Sequence, residues 1–362
     1  MTERERQILE WIRQNPMISQ NELAELAGIT RSGVAAHISN LVKKGYLRGK
    51  GYIVAPPRYV TVIGGLNMDI LGVSDKPIMF RGSNTGHVYN QLGGEGRSVA
   101  VGLSRLGVQT CFITLYGDDA NGEVFKTDAV AQGIDITYAR QIPHTSTSTY
   151  IYVNQPDGDI VVGLDDMGIY DLLTPDFLEE RRHIINNSTD VVIDTNISQE
   201  AIDWVYEHCE RPIYAKAISV YKAGRLGSHW DRIDTLAIDA VESEVVSGVD
   251  VHDRDSAERC ADVMQQRGVH NVFVCVGEKG MLYRCEQGSR FFPPQGAERR
   301  NSNGSGAVAL AALVWAHEQR CSWEDAGALA VAAAVMNSEA IETVSPQIAP
   351  EAVESRANNL IR

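Results

Sequence analysis

The sequence predicts an α/β chain in two parts: a small helical module ending in a hairpin, then a parallel sheet with helices on both faces and a small β lid. Three observations carry this. Short β-rich runs ("TCFITLYG", "DVVIDTN", "RPIYAKA", "IDTLAIDA", "HNVFVCVG") alternate with helical segments such as "GRSVAVGLSRLG", "QEAIDWVYEHCE" and "DSAERCADVMQQRG", the rhythm of βαβ units. Two stretches, about 71–91 and 145–164, carry alternating or Thr-rich β patterns outside that rhythm and are assigned to the lid. Residues 3–54 read instead as helix, helix, turn, helix and hairpin.

Taken in order, "ERERQILEWIRQN" places Ile8, Leu9 and Ile12 at helical spacing. "SQNELAELAG" opens on Ser19 with Glu22 three residues on and closes at Gly28, the pattern of a capped short helix. After the turn "GIT", "RSGVAAHISNLVKKG" repeats the apolar stripe at Val34, Ile38, Leu41 and Val42, and "YLRGKGYIV" reads as a hairpin with Gly-Lys-Gly at its tip. Pro56-Pro57 makes a stiff linker, after which "YVTVIGGLNMDI" reads as a buried strand running into a glycine turn. The expected boundaries are therefore 1–55 for the helical module, 56–58 for the linker and 59–362 for the α/β part.

An apolar share of 44% with 22% charged residues is that of an ordinary globular chain and excludes a disorder-dominated one. The charged start "MTERERQILEWIRQNP" is no signal peptide, and no run approaches the ~20 apolar residues of a membrane span, so the expectation is a cytoplasmic protein with no membrane partner. Six scattered cysteines without a CxxC pair give no zinc pattern. The net charge of −14 conceals an asymmetry: residues 1–58 hold nine Lys or Arg against five Glu, and the rest holds 24 basic against 42 acidic groups. Between Glu25 and Asp69 there is no acidic residue, while Arg31, Lys43, Lys44, Arg48, Lys50 and Arg58 all fall in that gap. A basic module joined to an acidic domain points to a polyanion partner for the first.

The stretch "RRNSNGSGAVALAALVW", residues 299–315, supplies flexible backbone and then a buried helix. Such a helix start attracts anions through its unpaired N–H groups. Between Asn301 and Trp315 there is no Asp, Glu, His, Lys or Cys, so nothing in the loop can move a proton.

Residues 3–54 closely resemble the winged helix-turn-helix domains of bacterial transcription regulators, in which the second helix of the pair enters the major groove and wing cations meet phosphates. The resemblance implies double-stranded DNA as a partner, with Arg31, Ser32, Gly33, His37 and Asn40 facing the groove and Lys43, Lys44, Arg48 and Lys50 on phosphates. "GGLNMDI", "QLGGEGRSVAVGLSRLG", "LYGDDANGE", "STSTYIYV", "VCVGEKG" and "NSNGSGA" stand in the order of the PfkB, or ribokinase-like, carbohydrate and nucleoside kinases, over roughly 58–350. The winged helix and "STSTY" make the chain most similar to sugar kinases near the pseudouridine kinases. This likeness implies a ribokinase-like parallel-sheet sandwich with a small lid, ATP and Mg²⁺ as cofactors, a nucleoside or sugar ligand and a homodimer. It implies substrate contacts from Asn67 and Asp69, from the di-glycine Gly93-Gly94 and from Ser98, where the family carries Asn. Phosphates would fall to Gly277, Gly280, Asn301, Gly304, Ser305 and Gly306, and magnesium waters to Asp239 and Glu242, the counterpart of NxxE. Thr147 and Thr149 are either ligand contacts from the lid or ordinary strand residues.

At the position of the family's catalytic Asp stands Ala307, Asn301 replaces the first Asp of the phosphate motif, and Lys216 falls near where relatives carry an acidic residue. The expectation is a DNA-binding regulator that senses a nucleoside or sugar through a catalytically degenerate kinase domain. The alternative is an active ATP-dependent kinase of the pseudouridine-kinase type, with Ala307 engineered or functionally replaced. A dimerisation scaffold without a ligand is the third reading.

Overall fold

Thr2, Ser19 and Thr30 each accept a backbone N–H from the third residue of a following helix, and so begin α1 (Glu3–Gln14), α2 (Gln20–Ala27) and α3 (Arg31–Lys43). The capping box at Ser19 and Glu22 forms as expected, and Gly28 ends α2 in the left-handed region. Ile8, Leu9, Ile12, Leu23, Val34, Ile38, Leu41 and Leu47 fill one small core. Val42, assigned to that stripe, is exposed instead, because it lies one step round the helix from Leu41. The computed structural model describes residues 1–47, 58–158, 160–296 and 298–361. The expected hairpin, the Pro56-Pro57 linker, Arg48 and Lys50 lie outside the described residues.

The main sheet grows from β1 (Val60–Ile63), flanked by β4 (Thr110–Ile113) and β9 (Val191–Asp194), and continues through β10 (Ile213–Lys216), β11 (Thr235–Asp239) and β12 (Asn271–Cys275), all parallel. Sequence reasoning stops at a parallel sheet. The structure adds β13 (Met281–Cys285) and β14 (Gly288–Phe292) as an antiparallel edge, because "GEKG" folds β12 back on itself with Gly277 and Gly280 at positive φ. One face is covered by α4 (Glu95–Arg105) with the helices Ser305–Glu318 and Trp323–Ser338, and the other by helices including Gln199–His208 and Arg254–Gln266. In helix Ser305–Glu318 every residue from Ala307 to Ala316 is buried, as a helix apolar all round requires.

A second, four-stranded sheet is made of β3 (Gly86–Gly93), β2 (Asn67–Ser74), β7 (Thr149–Asn154) and β8 (Ile160–Asp166), which overlap the two stretches set apart in the sequence as a lid. A separate parallel pair, β5 (Leu115–Gly117) with β6 (Arg140–Ile142), lies between the two sheets in chain order. "GGLNMDI" is not a turn throughout: Gly64-Gly65-Leu66 makes the corner, and Asn67 and Asp69 already stand on β2. Among the described residues no helix is long and apolar enough to cross a membrane.

Candidate functional site

The corner after β1 needs glycine. A Cβ on Gly64 would stand 2.3 Å from Asp194 Oδ2, and Gly65 N–H donates to that same oxygen at 2.8 Å. The chain leaves this corner with Asn67 and Asp69 on one face of the lid. Asn67 Nδ2 donates to Asp69 Oδ1, while Asp69 Oδ2 accepts from Asn303 Nδ2 and from Thr343 Oγ1, both at 3.2 Å. Burial pushes the Asp69 carboxyl up to about 6, against the hydrogen bonds from Asn67 and Thr343. Gly93 pairs with Asn67 across β2 and β3, and a Cβ there would lie 2.2 Å from Asp69 Oδ2. Gly94, at φ 93°, passes so close to Leu66 that a Cβ would come within 2.4 Å of its Cα. The di-glycine is thus a close approach of two backbones around one carboxylate.

Tyr150 registers with Asp69 and Tyr152 with Leu71, so both tyrosines share the Asp69 face, stacked with centroids 5.0 Å apart. Thr149 registers with Met68 and faces the other way. Thr147 Oγ1 donates to Asp119 Oδ1 at 2.6 Å and accepts from Gly117 N–H at 3.0 Å, so its hydroxyl is occupied in anchoring the lid. The Thr147 hydroxyl is thus already bonded, and Thr149 lies on the face away from Asp69. The two tyrosines, Asn303 and Thr343 surround Asp69, and sequence reasoning singles out none of the four. Ser98 is buried in the first turn of α4 with an unpartnered Oγ.

Gly304, in the left-handed region at φ 76°, opens helix Ser305–Glu318 with no side chain capping it, which leaves first-turn N–H groups for an anion. A Cβ on Gly304 would meet the Thr343 carbonyl at 2.2 Å. Asn301 is buried and shapes this loop: its Nδ2 donates to Ile341 O at 2.9 Å and its Oδ1 accepts Asn303 N–H at 3.0 Å. The Ser305 hydroxyl has no partner among the described residues. Gly277 and Gly280 bound the turn between β12 and β13. A Cβ on Gly280 would meet the Phe292 carbonyl at 2.3 Å, and one on Gly277 would meet nothing.

Beside Gly306 lies a buried cluster of charge. Lys216, 3% exposed at the end of β10, donates to Asp239 Oδ2 at 2.9 Å and to Ala217 O at 2.8 Å. A Cβ on Gly306 would lie 2.7 Å from Lys216 Cε. Burial alone would lower the Lys216 ammonium, but Asp239, Glu242 and Glu95 together hold it above its ordinary value. Glu242 accepts Ser219 N–H at 2.8 Å through Oε1, its Oε2 has no partner, and burial pushes it up to about 7. Glu95, in the first turn of α4, is pushed by burial up to about 8, with Oε1 unpartnered. Ala307 is fully buried and offers no proton acceptor.

The glycine cradle fits a phosphate, since the start of its helix carries amides that no side chain caps. The acidic pair does not fit a magnesium ion in the same way, because Asp239 is already neutralised by Lys216. All these groups gather at the carboxyl ends of β1, β9, β10 and β11, where parallel sheets place their ligands.

On α3, Arg31, Ser32, Asn40 and Lys43 are exposed, whereas Gly33 and His37 are half-buried and the His37 Nδ1 has no partner among the described residues. Lys44, expected on phosphates, is already paired within the module. Its ammonium lies 2.8 and 3.0 Å from the two oxygens of the buried Glu5 and holds that carboxyl below its ordinary value.

The family model described as pfkB family carbohydrate kinase matches residues 57–349, and the winged helix-turn-helix DNA-binding model matches residues 1–48. The chain is similar to the uncharacterized sugar kinase YeiI of Escherichia coli, 31% identical over 93% of this chain and 94% of that one. It is similar to the pseudouridine kinase of Escherichia coli, 27% identical over 70% of this chain and 82% of that one. Among solved structures, the Arabidopsis thaliana ribokinase complexed with ribose and ATP superposes at TM-score 0.65 with 19% identity, over 85% of this chain and 99% of that one, which shows the shared fold.

Proposed function

The chain belongs to the pfkB family of carbohydrate kinases and carries a winged helix-turn-helix ahead of it, and from that premise we propose that it is a ligand-responsive transcription regulator whose kinase domain senses a nucleoside or sugar. The observation that carries this reading is the pairing of Ala307, where a proton acceptor is needed, with Lys216 held by Asp239 beside the anion loop. Homologous kinases use ATP and Mg²⁺. Phosphoryl transfer rests on positioning and on neutralising charge, and a missing base costs ~10²–10⁴-fold.

Asn67 and Asp69 suit a ribose-like diol, with the Tyr150 and Tyr152 rings beside it. Asp69 accepts two hydroxyls only when ionised. Its folded carboxyl lies above the ordinary value of 3.8, so the empty chain loses stability as pH rises through about 6. Affinity for a diol ligand is therefore flat above pH 6 and falls ~10-fold per unit below it, which calorimetric titration across pH reads directly. A ligand held between lid and sheet alters DNA affinity through its differential affinity for two arrangements of the domain.

Asn187 Nδ2 donates to the Lys44 carbonyl and so ties the DNA-binding module to the large domain. The lid face opposite Asp69 presents exposed Val88, Ile151, Val162 and Leu164, an apolar surface that a second copy of the chain covers in a homodimer. Two copies then set the spacing of two α3 helices on a palindromic site. Lys43→Ala is expected to weaken DNA binding and lower the slope of log affinity against log salt by ~1.

The test is fluorescence anisotropy on operator DNA with and without pseudouridine, ribose and related ligands, alongside γ-phosphate transfer from ATP–Mg²⁺ to the same panel. We expect a ligand-dependent shift in DNA affinity and no transfer. Turnover by the chain as it stands overturns the sensor reading in favour of an active kinase, which the complete di-glycine and Asp69 site would equally serve. DNA affinity indifferent to every panel member refutes sensing.

A further inference from the structure

Lys216 is paired with Asp239, one of the two acidic residues to which the family resemblance assigns the magnesium waters. Its ammonium carries three N–H donors, of which one goes to Asp239 Oδ2 and one to Ala217 O, leaving one uncommitted. Gly306 has no side chain to separate that ammonium from the first turn of helix Ser305–Glu318, and the Lys216 side chain already fills the space its Cβ would take. The helix start is more than a bare end. Glu242, 5% exposed, acts through its charge on Lys216 and has an Oε2 without a partner among the described residues, as does the Ser305 hydroxyl.

The diol site adjoins this loop. Asn303, which donates to Asp69, immediately precedes Gly304, and Thr343 donates its hydroxyl to Asp69 while its carbonyl closes over Gly304. A ligand bearing both hydroxyls and a phosphate would meet both sets of groups at once.

We propose that Lys216 is the resident cation of this site, and that the 304–306 loop takes the phosphate of a nucleoside or sugar phosphomonoester without any divalent metal. The proposal rests on the sensor reading and names the effector class for it. A metal ion brought against Asp239 would face the ammonium that already neutralises it, whereas a phosphate gains a charged donor together with the helix N–H groups. Asp239 restrains Lys216, so the two residues act on phosphate affinity in opposite directions.

The experiment is isothermal titration of the full chain with ribose 5-phosphate and with ribose, each in Mg²⁺ and in EDTA. The phosphate ester is expected to bind at least ~10-fold more tightly than ribose, with the same constant in both buffers. Lys216→Met should bring the ester down to the level of ribose, and Asp239→Asn should tighten it, with melting curves recorded for both variants. Binding that requires Mg²⁺, an ester no tighter than ribose, or an ester constant unmoved by both substitutions overturns the proposal. A metal-free phosphate site with no effect on DNA would refute the regulator and leave this inference standing. A DNA response to unphosphorylated ligand alone, with no gain from phosphate, would do the reverse.

Discussion

Ala307→Asp combined with Lys216→Glu is expected to raise γ-phosphate transfer from ATP–Mg²⁺ to pseudouridine by ~10²–10⁴-fold over the parent chain, while Ala307→Asp alone stays at background. The reason is the placement of the ammonium. Residue 307 follows Gly306, whose Cβ position lies 2.7 Å from Lys216 Cε, in a region where Ala307 is fully buried. A carboxylate introduced there is drawn to Lys216 and held as a partner, which removes it from proton transfer. Reversing the charge at 216 releases it and restores an acidic group beside Asp239 and Glu242. Initial-rate measurement with radiolabelled ATP on the parent, both single variants and the double variant checks this. Full activity from Ala307→Asp alone would mean that the pocket lacks one group only, and that Lys216 is no obstacle.

How far the sequence reveals this site depends on the range of the interaction involved. The cap at Ser19, the glycine end of α2 and the βα rhythm are local, and the structure follows them. Lys44 counts as a free cation in any charge inventory, because its partner Glu5 is 39 residues away. Alternation in "STSTYIYV" separates threonines from tyrosines but does not say which face meets Asp69. That is fixed by the pairing of β7 with β2, which only the folded sheet supplies. Asn303 and Thr343 reach Asp69 from 234 and 274 residues away. Spacing cannot show such contacts, yet "NSNGSG" places Asn303 directly before the cradle, and that adjacency was the available signal. Lys216 stands out in the sequence as a departure in sign, but its distance to Gly306 is not legible there.

Gly94→Ala is expected to destabilise the chain by about 3–5 kcal/mol, because it combines a strained positive φ with an overlap against fixed backbone. The new Cβ would lie 2.4 Å from Leu66 Cα and 2.6 Å from Gly65 O, atoms that cannot move without opening the corner that β1 and β2 share. Thermal unfolding should register a fall on the order of 10 °C. Gly93→Ala makes a closer overlap, 2.2 Å, but against the Asp69 carboxylate, which is the end of a side chain and can rotate. Its effect should appear in the ligand instead: displacing Asp69 forfeits its acceptor bonds to a diol and lowers affinity by about 10- to 100-fold, with a much smaller change in melting. The pair therefore separates the two tasks of the di-glycine. If Gly93→Ala binds ribose-like ligands as the parent does, the Asp69 carboxylate is not the diol acceptor, and the lid closes over some other part of the site.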